Sequence, residues 1–103
     1  MNDNRIYKRD LKYEKIDEDS IILYDNENEE IHVLNGTAFF IWMNSNGKFI
    51  DEIIENFIGE LVGKYTKNEI HTIKEDCKNI LKDMLAKNLI YTQGGKIWDI
   101  LNI

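Results

Sequence analysis

The stretch Ile31-His-Val-Leu-Asn-Gly-Thr-Ala-Phe-Phe-Ile-Trp42 joins an alternating, extended segment directly to a helical one. Asn35 or Thr37 supplies a side-chain oxygen that caps the first turn of the helix. Ala38, Ile41 and Trp42 then begin an apolar helical face. This stretch therefore predicts a strand that turns abruptly into a helix.

Upstream of this junction the sequence predicts a small antiparallel meander. Residues 13–17 alternate weakly between polar and apolar side chains, and residues 20–25 are rich in strand-forming types. Asp and Asn between residues 25 and 28 tolerate the left-handed geometry of a turn. Residues 29–34 then return as the third predicted strand.

Downstream, apolar residues at helical spacing predict helices over about residues 36–45, 50–65 and 67–88. Asn46-Gly47 ends the first helix. Gly59 and Gly63 weaken the second, each by about 1 kcal/mol relative to Ala. Asn88 is a candidate for a left-handed cap at the end of the third.

The order of these elements predicts an α+β, winged-helix-like fold, with a three-stranded antiparallel sheet followed by three helices. At 103 residues the chain is the size of one domain. We divide it into an N-terminal extension (1–12), a folded domain (13–92) and a tail or wing strand (93–103). Residues 89–92 are expected to pair with residues 96–100 as the wing.

The acidic residues cluster in the first part of the chain. The formal charge is −6, and residues 14–30 contain eight carboxylates against one lysine. A protein that binds duplex nucleic acid needs cations over most of its contact surface. The predicted sheet would repel phosphate, so a nucleic-acid partner is not expected.

The chain also lacks the marks of an exported or membrane protein. Residues 1–12 are polar and mixed in charge, unlike a signal peptide, and no apolar run approaches the roughly 20 residues that span a bilayer. One cysteine fits a reducing compartment. A cytoplasmic protein without a membrane partner is expected.

No motif in the sequence indicates catalysis. The two histidines are far apart, and Cys77 lies within the apolar stripe of the third predicted helix. There is no CxxC, no HExxH and no Cys/His cluster that would hold a metal. We therefore predict no enzyme activity, no metal and no cofactor.

The third predicted helix has two unlike flanks. Lys74, Lys78 and Lys82 recur every four residues on one side of the apolar stripe, whereas Asp76 and Asp83 lie on the other. Two interpretations stay open for the lysines, namely a solvated surface or one border of a binding groove.

An ordered set of positions resembles the PqqD family over about residues 13–92. A hydrophobic hairpin leads into Leu34-Asn35, Thr37-Ala38 and Ile41-Trp42, and Gly47 and Asp51-Glu52-Ile53 follow. The pattern closes with Tyr65, Asp76, Leu81, Leu85 and Leu89-Ile90. The chain departs from it in a long spacing from Gly47 to Tyr65, in Asn88 where glycine is usual, and in its tail.

The resemblance implies a recognition element for ribosomally made, post-translationally modified peptides. In such domains the leader of a precursor peptide lies along the third strand and against the third helix, adding a strand to the sheet. A modifying enzyme, in many pathways a radical S-adenosylmethionine enzyme, then receives the peptide. The peptide-binding residues predicted here are Glu30, Ile31, His32, Val33, Leu34, Lys74, Lys78 and Leu81.

A second interpretation comes from another class of protein. A winged-helix domain is also typical of small transcription regulators and oligomerisation modules. For the peptide-binding interpretation, a monomer or weak homodimer is expected. A precursor-peptide gene and a modifying-enzyme gene beside this one would favour peptide recognition.

Overall fold

The computed structural model describes residues 5–61 and 63–93. Within them the predicted α+β class is confirmed, because a three-stranded antiparallel sheet is followed by three helices. The elements in chain order are β1 (Ile6–Lys8), β2 (Lys12–Asp17), β3 (Ser20–Asp25), β4 (Glu30–Leu34), α1 (Gly36–Met43), α2 (Ile50–Gly59), α3 (Lys67–Ala86) and β5 (Ile90–Thr92).

Strands β2, β3 and β4 form the predicted meander in that spatial order. In the register between β3 and β4, Ile22 lies opposite Val33 and Leu23 lies opposite His32. The turn between these strands uses Glu29 at φ +54°. The inner face of β3 buries Ile21 and Leu23 against the helices, so one face of the sheet is core and the other is open.

Each predicted helix is present, but each is shorter than predicted at its C-terminal end. Asn35 caps α1, since its Oδ1 accepts the Ala38 N–H at 2.8 Å. Helix α2 ends at Gly59 instead of reaching residue 65, and Gly63 follows at φ +84°. Glycine at these positions favours a turn over another helical turn.

The start and end of α3 follow the local sequence. Thr66 caps the helix, because its hydroxyl accepts the Glu69 N–H at 3.2 Å while the Glu69 carboxylate accepts the Thr66 N–H at 3.0 Å. After the helix, Asn88 adopts the predicted left-handed conformation at φ +59°. The Leu89 N–H then donates to the Met84 carbonyl at 2.9 Å, which closes the last turn.

The N-terminal segment, from Ile6 onward, pairs with and packs against the rest of the described chain. Strand β1 pairs antiparallel with β5, and the side chain of Ile6 is completely buried. Strand β5 therefore has a partner that the sequence did not suggest. Its predicted partner, residues 96–100, lies outside the described residues, as does most of the predicted tail.

The core lies where the inner sheet face meets the three helices, with Trp42 near its centre. Trp42 is fully buried, and its Nε1 donates to the Leu89 carbonyl at 3.0 Å. Lys8 on β1 covers the ring with Nζ 4.3 Å from its centroid. Among the helices of the described part of the chain, none is long and apolar enough to cross a membrane.

Candidate functional site

Strand β4, the third predicted strand, is an edge of its sheet. Within the described residues it pairs with β3 and with no strand on its other side. In an antiparallel sheet, every second residue of such a strand directs its N–H and C=O away from the neighbour. These groups can bind the backbone of another extended segment.

The side chains of β4 alternate between the two sheet faces. Ile31 and Val33 lie on the outer face, with 65% and 60% of their surfaces exposed, whereas Leu34 is buried at 5%. If a further strand added to this edge, its side chains on the outer face could form cross-strand apolar pairs with Ile31 and Val33.

A groove runs between β4 and α3, with a volume of about 320 Å³. The floor and the rim of the groove differ in polarity. Buried apolar side chains provide a floor, and polar side chains from α3 stand along the rim. The lining residues are Val33, Leu34, Asn35 and Ala38 from the β4–α1 junction, and Asn79, Ile80, Asp83, Met84 and Lys87 from α3 and its end.

Ile80 joins this groove to a second depression of about 320 Å³ between the helices. That depression is lined by Thr37, Phe57, Leu61, Tyr65, Ile73, Asp76, Cys77 and Ile80. An extended ligand that leaves the groove at Ile80 would therefore find a mostly apolar continuation along the same flank of α3.

Of the predicted β4 residues, Val33 and Leu34 line the groove beside α3, whereas Glu30, Ile31 and His32 do not. Lys74 and Lys78 do not line the groove, which is bordered by the opposite flank through Ile80 and Asp83. Leu81 is 1% exposed and belongs to the core. Contact of Lys74, Lys78 and Leu81 with a peptide stays a prediction, and the groove itself is bordered by the other flank of α3.

Two pairs of polar side chains lie close together, one on α3 and one on β4. Asp83 Oδ2 lies 2.9 Å from Lys87 Nζ on the α3 side. On β4, Glu30 Oε2 lies 3.1 Å from His32 Nε2, but that nitrogen has no hydrogen-bond partner. That nitrogen is buried, so it is not open to a ligand at the strand edge.

Sequence reasoning missed the α3 residues that border the groove, chiefly Ile80 and Asp83. A signal for them was present, since Asp76, Ile80, Asp83 and Lys87 follow helical spacing. The lysine run follows helical spacing equally well. Which flank faces β4 depends on how the helix is rotated in the core, and neither run encodes that rotation.

Two observations describe the titratable groups near the groove. Burial raises the pKa of the Cys77 thiol to about 11, so the nucleophilic thiolate is scarce at neutral pH. Among residues 5–61 and 63–93, no three His, Cys, Asp or Glu side chains come together in an arrangement that could hold a metal ion. What the site offers is a strand edge, an apolar floor and a polar rim.

Comparison with known protein families identifies a match. The model of a family described as Coenzyme PQQ synthesis protein D (PqqD) matches residues 20–90, well over half of the chain. The matched range runs from the start of β3 to the start of β5 and so contains both walls of the groove. No curated protein and no solved structure matches the chain significantly.

Proposed function

The chain belongs to the PqqD family, and from that premise we propose that it binds the leader segment of a ribosomally synthesised precursor peptide and presents it to a modifying enzyme. Family membership supports an accessory role in the biosynthesis of modified peptides. We further propose that β4 and the groove beside it hold the peptide.

The observation that carries the proposal is the open edge of β4 beside an apolar groove. A leader that adds to this edge forms main-chain hydrogen bonds with β4, which supply affinity without demanding a particular sequence. Its side chains alternate between the two faces. One set enters the groove toward Ile80, and the other lies beside Ile31 and Val33.

We expect the selectivity for the leader sequence to depend on the shape of the groove and on apolar contact with its floor. The groove floor is formed by Leu34, Ala38 and Met84, which are buried and apolar. A β-branched or aliphatic leader side chain that fills the groove beside Leu34 and Ile80 removes apolar surface from water, at about 25 cal/mol per Å². We propose no contact between the groove-bound leader and Lys74 or Lys78.

We propose that the protein itself carries out no chemistry on the peptide. The family to which it belongs is one of accessory proteins, and its cysteine is buried and protonated at neutral pH. Catalysis then belongs to the partner enzyme, for which a radical S-adenosylmethionine enzyme is our first candidate. Mass spectrometry of the precursor peptide after incubation with this protein alone should show no change of mass.

The test is a titration with the leader of the precursor peptide encoded beside this chain, followed by backbone amide shifts. We expect the shifts to concentrate on β4 and on the groove side of α3. A scrambled peptide of equal composition is the control for non-specific association. Shifts confined to α1 and the loop after it would contradict the proposed site.

A pair of matched variants separates the groove edge from general surface hydrophobicity. Val33→Asp should weaken leader binding at least about tenfold, or about 1.4 kcal/mol, because it places a charge beside the added strand. Ile16→Asp changes a residue of similar exposure, 55% against 60%, on the opposite edge strand. Equal loss of affinity in the two variants would reject β4 as the docking edge.

A further inference from the structure

One flank of α3 carries a line of basic side chains that the proposed leader site does not use. We call it the α3 basic stripe, and it consists of Lys67, His71, Lys74, Lys78 and Lys82. The steps of four, three, four and four residues keep these side chains on one face of the helix. At 1.5 Å per residue the stripe is about 22 Å long.

The charges of the stripe are poorly neutralised by the rest of the described chain. One ion pair is found there, between Lys78 Nζ and Glu75 Oε1 at 3.5 Å. Lys74, Lys78 and Lys82 also follow one another at intervals of four residues, a spacing at which like charges destabilise a helix. Lys67 lies in the first turn, where the helix dipole disfavours a cation.

This arrangement differs from the charge pattern of the rest of the molecule. The chain has 19 acidic residues against 13 lysines and arginines, yet it places few acids at the positions that would pair with these lysines. If the only role of the stripe were to keep the helix solvated, side chains of alternating positive and negative charge would stabilise the helix better. The repeated cations are accounted for if a surface of opposite charge faces them.

Beside the N-terminal half of the stripe the surface is concave and partly apolar. A depression of about 320 Å³ is lined by Tyr65, Lys67, Ile70, His71 and Lys74. Tyr65 is 46% exposed. Tyrosine is enriched at protein interfaces, where its ring becomes buried on binding, and the lysines beside Tyr65 suit the polar rim of such a contact.

We propose that the α3 basic stripe, with Tyr65 at one end, docks an acidic surface of a partner protein. The groove lies on the opposite flank of α3, whereas Tyr65 also lines the depression that continues the groove past Ile80. Both surfaces can therefore be occupied at once by a leader that stays within the groove. A protein fits better than a nucleic acid because the cations form a single line on a chain of net charge −6. A duplex would bring phosphates against the acidic residues as well. The proposal does not depend on leader binding at β4.

A double variant and a matched control test the stripe without knowledge of the partner. The probe is a poly-L-glutamate peptide of about 12 residues, which when extended exceeds the length of the stripe. Lys67→Glu/Lys74→Glu should weaken its binding at least about tenfold. The variant should stay folded, because an acid is favoured at residue 67 by the helix dipole and at residue 74 by Lys78 four residues later.

The control is Lys12→Glu/Lys15→Glu, which makes the same change of net charge on exposed positions of β2. It should alter the affinity less than about twofold at about 150 mM salt, where the Debye length is about 8 Å. Amide shifts on the wild-type protein should follow residues 65–82. The proposal is overturned if the peptide does not bind, if both variants lose affinity equally, or if a short DNA duplex binds the same residues more tightly.

Discussion

Arg9 and Asp25 form the most enclosed ion pair among the described residues. The Asp25 side chain is fully buried, and it accepts hydrogen bonds from both terminal nitrogens of Arg9, at 2.6 and 3.0 Å. Asn28 adds its backbone N–H at 3.2 Å and its side-chain amide at 2.8 Å. Since Arg9 also donates to the Asn88 carbonyl at 3.0 Å, one guanidinium joins the N-terminal segment, the β3–β4 turn and the end of α3.

This pair should make the stability of the protein sensitive to acid. Hydrogen bonds from Arg9 and then Asn28 hold the pKa of Asp25 well below its usual range. The unfolded chain has an ordinary carboxyl pKa of about 3.9, so it binds the proton first as the pH falls. The stabilisation is therefore present above about pH 4 and is lost progressively below it.

Thermal unfolding of Asp25→Asn between neutral pH and about pH 2.5 measures this contribution. The variant keeps the shape of the side chain but loses the charge, so its Tm should be lower than that of the wild type at pH 7. Its Tm should also fall less steeply below about pH 4, so that the two curves converge. Parallel curves over the whole range would show that the carboxylate charge is not what stabilises the fold.

Cys77 offers a second prediction at a single residue. Its side chain is completely buried on α3, and burial raises its pKa to about 11. Ellman's reagent at about pH 8 should therefore label the native protein at the slow rate of structural opening, and the urea-unfolded protein within the mixing time. Rapid labelling of the native protein would mean that the depression beside Cys77 admits small molecules to the thiol.

Among the elements, the β1–β5 pair connects the two ends of the described chain. Tyr7 and Tyr91 lie opposite each other in this pair, with their rings stacked at 5.7 Å. Gly47, at φ +74°, donates its N–H to the Ile6 carbonyl at 2.7 Å, and the Ile6 N–H donates to the Lys48 carbonyl at 2.7 Å. Strand β1 thus also holds the loop after α1.

Replacement of Ile6 by Ala tests whether β1 belongs to the cooperative unit. Ile6 is fully buried, so the variant should lose about 2–5 kcal/mol of unfolding free energy. Ile16→Ala removes the same atoms from a residue that is 55% exposed, and it should cost less than about 1 kcal/mol. Similar costs in urea unfolding would show that β1 is only loosely attached.

The elements that were predicted correctly are those whose bounds are determined by neighbouring residues in the sequence. Strand β3 matches its predicted range, and Asn35, Thr66 and Asn88 mark helix boundaries through their own backbone and side-chain chemistry. The β1–β5 pair was not predicted, because it joins segments more than 80 residues apart and neither strand has a strong local signal. The flank of α3 that faces β4 is likewise set by packing of the whole core.

At the scale of the whole molecule, α3 separates two surfaces of different character. On one side lies the groove, with its apolar floor and the strand edge of β4. On the other lies the α3 basic stripe. The acidic residues of the meander carry most of the net charge, so a partner that approaches the stripe is attracted there and repelled from the sheet.

If both proposals hold, the two surfaces should bind independently. Lys67→Glu/Lys74→Glu should change the affinity for the leader less than about twofold. Val33→Asp should leave the affinity for poly-L-glutamate unchanged. The altered residues lie on opposite sides of α3, and the effects of such distant changes are additive. Calorimetric titration of each ligand, with and without saturating amounts of the other, measures the coupling. A loss of leader affinity in the lysine variant, with the fold intact, would restore a role for this flank in leader binding. Competition between the two ligands would instead place both on one surface.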